Sequence, residues 1–549
     1  MPSQAPSPQA EDAGILLRHG LIVDGTGRTA FHGDVLLQEG RIAAVGPAFE
    51  APTNVRTLEC RGKVVAPGFI DMHSHNDWFM AATDHARFTQ PFLQQGITTF
   101  VTGNCGFSAA GFDPASPHLE RLRRNLFQVA GLDLHWGSVA EYFALLSRQG
   151  LTHNLVLLAG HGTTRTALRD FRPDPLTAVE NRQLLAQLEC ALEQGAAGIS
   201  LGLQYEPGIF ATPGELHAVA RLARRRARIL TIHARALSAL SGTYPLKPFA
   251  RPHNLQAIED VLNLARATGV RVQFSHLVFV GRRTWDTLDR ALTLIDRARA
   301  QGLDIRFDTY YHGCGASLIH VVMPKWFLAG VPANYRRKAA LLRLQAEMRL
   351  MKRLLGFGFE DIVVADALDP DYRRFNGLDL AAIARQLGCT PFKAFVAIAA
   401  ASQGQARVLM RKYSTPAIVR ELMRHPASMF MTDAWVERAG TQNPAIHGAF
   451  PGFLQTVREA GTIRLEEAVH KMTGASAARF GLRDRGVLRR GLAADVTVFD
   501  PRTVRDNTTP GDTDRRPTGV EAVFINGRQA LADGEPRDGV RAGQVLRAI

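Results

Sequence analysis

Residues 68–77 read GFIDMHSHND. An apolar run, VVAPGFI at 64–70, stops at Asp71, and two imidazoles, His73 and His75, follow two positions apart. Residues i and i+2 of a strand point to the same side. A strand that ends here therefore aims both rings together, as two ligands of one metal ion require. The reading stands or falls on what other strand ends supply.

Seven further β-branched or apolar runs follow: ITTFVTG (97–103), NLVLLAG (154–160), AAGISLG (196–202), ILTIHA (229–234), VQFSHL (272–277), IRFDTY (305–310) and SMFMTD (428–433). Helical patterns such as ENRQLLAQLECALEQG separate most of them. Eight βα units predict an α/β chain closed into a TIM-like (β/α)8 barrel, whose active site lies at the C-terminal strand ends. A doubly wound sheet would want a glycine-rich phosphate fingerprint after the first strand, and none is present. At those ends the runs place His73 and His75, Cys105, His161, Gln204 with Tyr205, His233 with Arg235, His276, Asp308 to Tyr310, and Asp433. Imidazole, thiolate and carboxylate are zinc ligands. His73, His75, Cys105, His233, His276 and Asp433 exceed one tetrahedral site, which fits a two-metal centre. Each has an ordinary alternative alone: a core histidine, a small buried cysteine, an aspartate capping a helix. Their joint occurrence at five strand ends carries the inference.

Outside the barrel, residues 15–66 and 485–549 both show short strands broken by glycine turns, and are expected to join into one small β-sandwich. The barrel is then 67–484, and residues 1–14 form a disordered lead. Residues about 319–378 are too long for an ordinary loop between strands seven and eight, and predict an inserted helical subdomain at the catalytic rim.

The chain has 549 residues, 46% of them hydrophobic and 21% charged, as in a large globular protein. Five scattered cysteines fit a reducing compartment, and the first residues lack a secretory signal pattern. A cytoplasmic protein with no membrane partner is expected. The formal charge of +14 comes mostly from arginine, but zipper heptads, zinc-finger spacing and RNP motifs are absent, which argues against a nucleic-acid partner. What remains is a small-molecule partner, and the chain allows a homo-oligomer.

The stretches APGFIDMHSHND, TTFVTGNCGFS, GISLGLQYEPGIFAT, ILTIHAR and GLAADVTVFDP resemble the amidohydrolase superfamily, and within it the D-aminoacylase (N-acyl-D-amino-acid deacylase) family. The resemblance spans nearly the whole chain. It implies a zinc-dependent hydrolase of linear amide bonds. It implies that Cys105, His233 and His276 hold a tight zinc, with Cys105 in place of the carboxylated lysine of other dinuclear members. His73, His75 and Asp433 then form a second, weaker site. Asp433 matches the catalytic aspartate and Tyr205 the tyrosine that polarises the scissile carbonyl. Amines are poor leaving groups, so an aspartate that acts first as base and then as acid suits the reaction.

The chain departs from that family where the substrate carboxylate should be held. Val278 stands in the position of a lysine, and Asn443-Pro444-Ala445 replaces a stretch ending in arginine. Thr432-Asp433-Ala434-Trp435 and Tyr310-Tyr311-His312 also differ from the family pattern. Either other cations replace the anchors or the substrate lacks a free α-carboxylate. Arg235, Arg282 and Arg283 are candidate replacements; Tyr310, His312, His161 and Trp435 complete the expected substrate contacts. A hydantoin or other cyclic-amide hydrolase, or a deaminase, would use the same metal chemistry, although such enzymes usually carry the bridging lysine. A non-catalytic barrel would be expected to have lost ligands.

Overall fold

Most barrel strands are built on β-branched and aromatic side chains that favour a pleated surface, and every one is buried along its length apart from Arg271 and Arg306. In the computed structural model, which describes residues 14–50, 52–118, 122, 135–245 and 250–548, the strands are Phe69–Asp71, Ile97–Thr102, Asn154–Leu157 continuing as Ala159–Gly160, Gly198–Gly202, Ile229–His233, Arg271–Phe274, Ile305–Thr309 and Ser428–Phe430. Successive strands pair in parallel from the first to the eighth. The third is interrupted only at Leu158, whose N–H donates to the Thr102 carbonyl at 2.9 Å. Closure runs through polar groups. The Asp433 N–H donates to the His73 carbonyl at 2.8 Å, and the Thr432 N–H to the Asp71 carboxylate at 3.0 Å. The eight runs named from sequence are these eight strands, and the fold is a TIM-barrel-like α/β structure.

The helices between them start where the sequence supplies caps. Val139–Gln149 and Ala178–Glu193 each begin with a reciprocal capping box, Ser138 with Glu141 and Thr177 with Glu180. Pro213–Arg225 has Thr212 as N-cap and a proline in its first turn, and buries Leu216, Val219, Leu222 and Ala223 against the barrel.

The chain ends meet. Val64–Pro67 pairs antiparallel with Val496–Phe499, which joins the N-terminal strands Ile15–Ile22, Phe31–Gln38, Arg41–Gly46 and Arg56–Glu59 to the C-terminal Val520–Ile525, Arg528–Ala532 and Glu535–Pro536. All are hydrogen-bonded into one nine-stranded sheet rather than two separate layers. The sheet folds over its own core of Leu17, Val35, Val65, Val496 and Phe524, and the Ile42 N–H closes it onto the Leu492 carbonyl at 2.8 Å. The last residues leave this sheet. Gly543 and Leu546 donate to the carbonyls of Leu151 and Leu155 at the start of the third barrel strand, so the terminal tail belongs to the barrel floor. The expected lead lies almost wholly outside the described residues.

The rim insertion differs from the helical subdomain expected at about 319–378. Strands Gly315–Leu318, Ile362–Asp366 and Arg407–Met410 form a three-stranded antiparallel sheet; helix Leu380–Gln386 packs on it with Pro391–Ala401 beside it, and Lys338–Leu355 packs on the short helix Arg282–Trp285. Its edge strands, four and five residues long, lie far apart in sequence, and nothing local marks them as partners.

Candidate metal centre and its pocket

The first strand ends at Asp71, and the chain beyond it carries both imidazoles to the barrel mouth. His73 Nε2 and His75 Nε2 lie 3.2 and 2.9 Å from the same oxygen, Asp433 Oδ1. Cys105 Sγ sits 3.3 Å from His73 Nε2, 3.6 Å from His233 Nδ1 and 3.4 Å from His276 Nε2. The six side chains are all buried and divide into two groups that share the sulfur: His73, His75, Cys105 and Asp433, and Cys105, His233 and His276. Three of the six have left-handed backbones, Cys105 at φ 55°, His276 at 36° and Asp433 at 47°. Such strain in non-glycine residues is tolerated where the surroundings over-determine it, and it concentrates at functional sites.

The donor set suits zinc. Ordinary Zn–S and Zn–N bonds of about 2.3 and 2.0–2.1 Å at tetrahedral angles separate sulfur from nitrogen by about 3.6 Å. Cys105, His233 and His276 are spaced accordingly. The electrostatics agree with a thiolate. Burial opposes charge on Cys105, but His73, His276 and His233 outweigh it and hold the thiol well below its ordinary value. Burial and the neighbouring His276 push His233 down to about 4, keeping it neutral as a ligand must be. Burial also opposes the Asp433 carboxylate, yet His73 and His75 hold it well below the usual carboxylate range.

A second layer orients these ligands. Asp308 Oδ1 lies 3.3 Å from His73 Nδ1 and accepts the His276 N–H at 2.7 Å, while its other oxygen accepts from Gln273 at 2.9 Å. Gln204 Oε1 lies 3.0 Å from His233 Nε2. Such contacts fix ring orientation. Asp308 and Gln204 stood on the strand ends in the sequence but were not singled out, because an orienting carboxylate or amide has no motif of its own. The Tyr205 hydroxyl donates to the Cys105 carbonyl at 2.9 Å and lies 3.4 Å from His233 Nδ1. The Tyr310 hydroxyl donates to Asp433 Oδ2.

The centre opens into a pocket of about 1400 Å³ of empty space, counting its open mouth. His75, Cys105, Tyr205, His276 and Asp433 form its floor, together with Tyr310 and Trp435. Trp435 meets the His75 ring edge-on at 5.5 Å. The far wall comes from the insertion and is apolar, with Val321, Met348, Met351, Leu355, Phe357 and Met410.

Of the expected substrate contacts, Tyr310 and Trp435 reach this pocket, and Arg235, His161, His312, Arg282 and Arg283 do not. Arg235 spends its guanidinium on the carbonyls of Ile209 and Ala211 at 3.1 and 2.8 Å. His161 is buried against Glu215 at 2.8 Å, and Arg165 completes that cluster at 3.2 Å. His312 pairs with Asp506 at 2.9 Å. Arg282 is exposed on a short outer helix, next to the equally exposed Arg283. The first three are held by these other partners, and the last two lie on a helix outside the barrel mouth. Val278 and Ala445 are buried outside the pocket lining. Among the described residues, the cationic side chains of the lining are Lys352 at the mouth and Arg407, which sequence reasoning missed. Arg407 is buried, 3.7 Å from Glu437, and Trp435 donates to the same carboxylate at 2.8 Å. Burial, against the pull of Arg407, pushes Glu437 up to about 7.

Two family models, both described as amidohydrolase family, match residues 64–318 and 329–531. An N-acyl-D-aspartate deacylase of Alcaligenes xylosoxydans xylosoxydans is 31% identical over 542 residues, 97% of this chain and 95% of its own length. The crystal structure of N-acyl-D-glutamate deacylase from Bordetella bronchiseptica, complexed with zinc and a phosphonate mimic of the tetrahedral intermediate, matches with a TM-score of 0.79 at 31% identity, over 98% of this chain and 100% of that one. A D-aminoacylase with a binuclear metal centre, described as activated by one metal and attenuated by the second, matches with a TM-score of 0.77 at 27% identity, over 97% and 99% of the two chains.

Proposed function

The chain belongs to the amidohydrolase family, and from that premise we propose that it hydrolyses a linear N-acyl amide, an N-acyl-D-amino acid or a relative of one, with Asp433 and Tyr205 as catalytic residues. It is a metal-dependent amide hydrolase by descent; the roles of the individual residues are our reading. One observation carries it: six zinc-type donors and Tyr205 converge on the floor of one pocket.

Cys105, His233 and His276 would hold a tight zinc, and His73, His75 and Asp433 a weaker one next to the shared sulfur. Zinc bound there supplies a Lewis acid that activates water and polarises the scissile carbonyl. Asp433 takes the proton of the attacking water on one oxygen and delivers it to the leaving nitrogen. Tyr310, bonded to the other oxygen, positions that carboxylate. Tyr205 turns its hydroxyl from the Cys105 carbonyl to the oxygen of the tetrahedral intermediate. The surrounding apolar wall keeps bulk water out.

Val278 and Ala445, which stand where the resemblance expects cations for a substrate carboxylate, lie outside the lining, and Arg407 already faces Glu437. The test compares kcat/KM of the zinc-loaded enzyme on N-acetyl-D-methionine and on the same compound with its carboxylate converted to a neutral amide. Chelator-sensitive release of amine from both is expected, with the neutral compound at least as fast. A strong preference for the free acid would instead make Arg407 the carboxylate's partner. No release from either, or opening of a hydantoin ring in their place, would overturn the linear-amide reading.

A further inference from the structure

The helix Lys338–Leu355 has two faces with different business. One face carries Met348, Met351 and Leu355 into the wall of the catalytic pocket. The other is exposed and reads, at helical spacing, Ala339, Leu342, Arg343, Ala346, Arg349, Leu350 and Arg353. Leu342 is 57% and Leu350 45% exposed. Four large hydrophobic side chains are exposed in the described residues, Phe31, Val179, Leu342 and Leu350, and two of them share this one outer face.

Charge follows the same segment. Residues 336–353 hold seven basic side chains, Arg336, Arg337, Lys338, Arg343, Arg349, Lys352 and Arg353, against a single acid, Glu347. That acid is already engaged, by Arg343 at 2.9 Å and by the Trp326 indole at 2.9 Å. Arg343 also stacks over Trp326 at 4.0 Å, which ties a second amphipathic side chain to the same surface. A strongly basic face with protruding leucines is the composition of a helix that lies in a lipid interface. No described helix is long and apolar enough to cross a membrane. Pairing with a second copy is disfavoured, since a twofold contact would set these cations against each other.

We propose that this helix docks on an anionic lipid surface and admits from it amides with a long aliphatic acyl chain, which the methionine- and leucine-lined wall beneath then holds. The docking stands on the helix itself; the delivery step rests on the amide-hydrolase function proposed above. Unbranched, polarizable methionines adapt to a flexible chain better than a rigid pocket does.

The experiment is flotation of the zinc-loaded enzyme with vesicles of phosphatidylcholine alone and of phosphatidylcholine mixed equally with phosphatidylglycerol. Binding to the anionic vesicles only is expected. It should weaken roughly tenfold or more at high salt and in the double variant Arg349→Glu/Arg353→Glu. Leu342→Ser/Leu350→Ser should weaken it as well, by loss of apolar insertion. Both double variants alter exposed positions outside the pocket, so turnover of dissolved N-acetyl-D-methionine should match the parent, which also shows that they fold. N-dodecanoyl-D-methionine presented in anionic vesicles should be cleaved faster by the parent than by either variant. Absence of vesicle binding, or binding that neither variant reduces, overturns the proposal. So does a dimer in sedimentation velocity that the leucine variant dissolves. Equal turnover of the vesicle-borne substrate by parent and variants overturns the delivery step. Intact vesicle binding with no cleavage of either acyl compound supports docking and sinks the hydrolase function instead.

Discussion

Cys105, His276 and Asp433 pay a backbone cost of order 1–3 kcal/mol each for left-handed conformations that a glycine would adopt freely. Each lies just beyond a strand end, where a left-handed turn swings the side chain back over the barrel mouth. This makes Asp433→Asn a clean variant, because asparagine tolerates the left-handed region about as well as aspartate. Its kcat should fall roughly 10²–10⁴-fold for want of a proton carrier, with the tight-site zinc retained in atomic emission. Unchanged kcat would remove Asp433 from the reaction. Tyr205→Phe should lower kcat about 10²–10³-fold with little change in KM, and a change confined to KM would make Tyr205 a binding residue only. The six candidate donors were legible only jointly, because ligand chemistry restricts residue type and all six fall at strand ends. The substrate contacts were not, since an arginine near a strand end can as well serve a carbonyl, as Arg235 does.

At the scale of elements, the eighth strand depends on a buried cation beneath it. Lys471 Nζ donates to the His425 carbonyl at 2.7 Å and to Ser428 Oγ at 2.9 Å, at the strand's first residue. Burial pushes this ammonium down to about 8 from an ordinary 10.5. Between those values the unfolded chain binds a proton that the folded chain does not, so this group's contribution to stability rises with pH across that window and is flat below it. Denaturant unfolding should show that rise in the parent and its loss in Lys471→Met; parallel curves for the two proteins would refute the assignment. The barrel strands and helix starts were readable because local pattern decides them: apolar runs, capping boxes at Ser138 and Thr177, proline after Thr212. The insertion's sheet was not, because its three short strands are held by pairing across nearly a hundred residues.

Over the whole molecule, five barrel strands must come together before the donors meet. A zinc ion that binds only that assembled state would stabilise the fold by about 2.7 kcal/mol once free metal exceeds its dissociation constant a hundredfold. Chelation should lower the melting temperature and abolish turnover together, and added zinc should restore both. A melting temperature indifferent to chelation would mean that the six donors do not form a metal site.

The sequence by itself determined the eight strands, the barrel and the six candidate donors that converge, since side-chain periodicity and ligand chemistry are local properties. Only the tertiary structure decided which polar groups face the mouth. Long-range packing held His161, His312, Arg235 and Arg282 aside, brought Asp308 and Gln204 behind the ligands, and set Arg407, on the insertion's sheet, in the pocket. It also set an apolar helix face over the centre while leaving a basic, leucine-bearing face outside. Direction and neighbourhood depend on contacts between residues far apart in the chain, which no single stretch encodes.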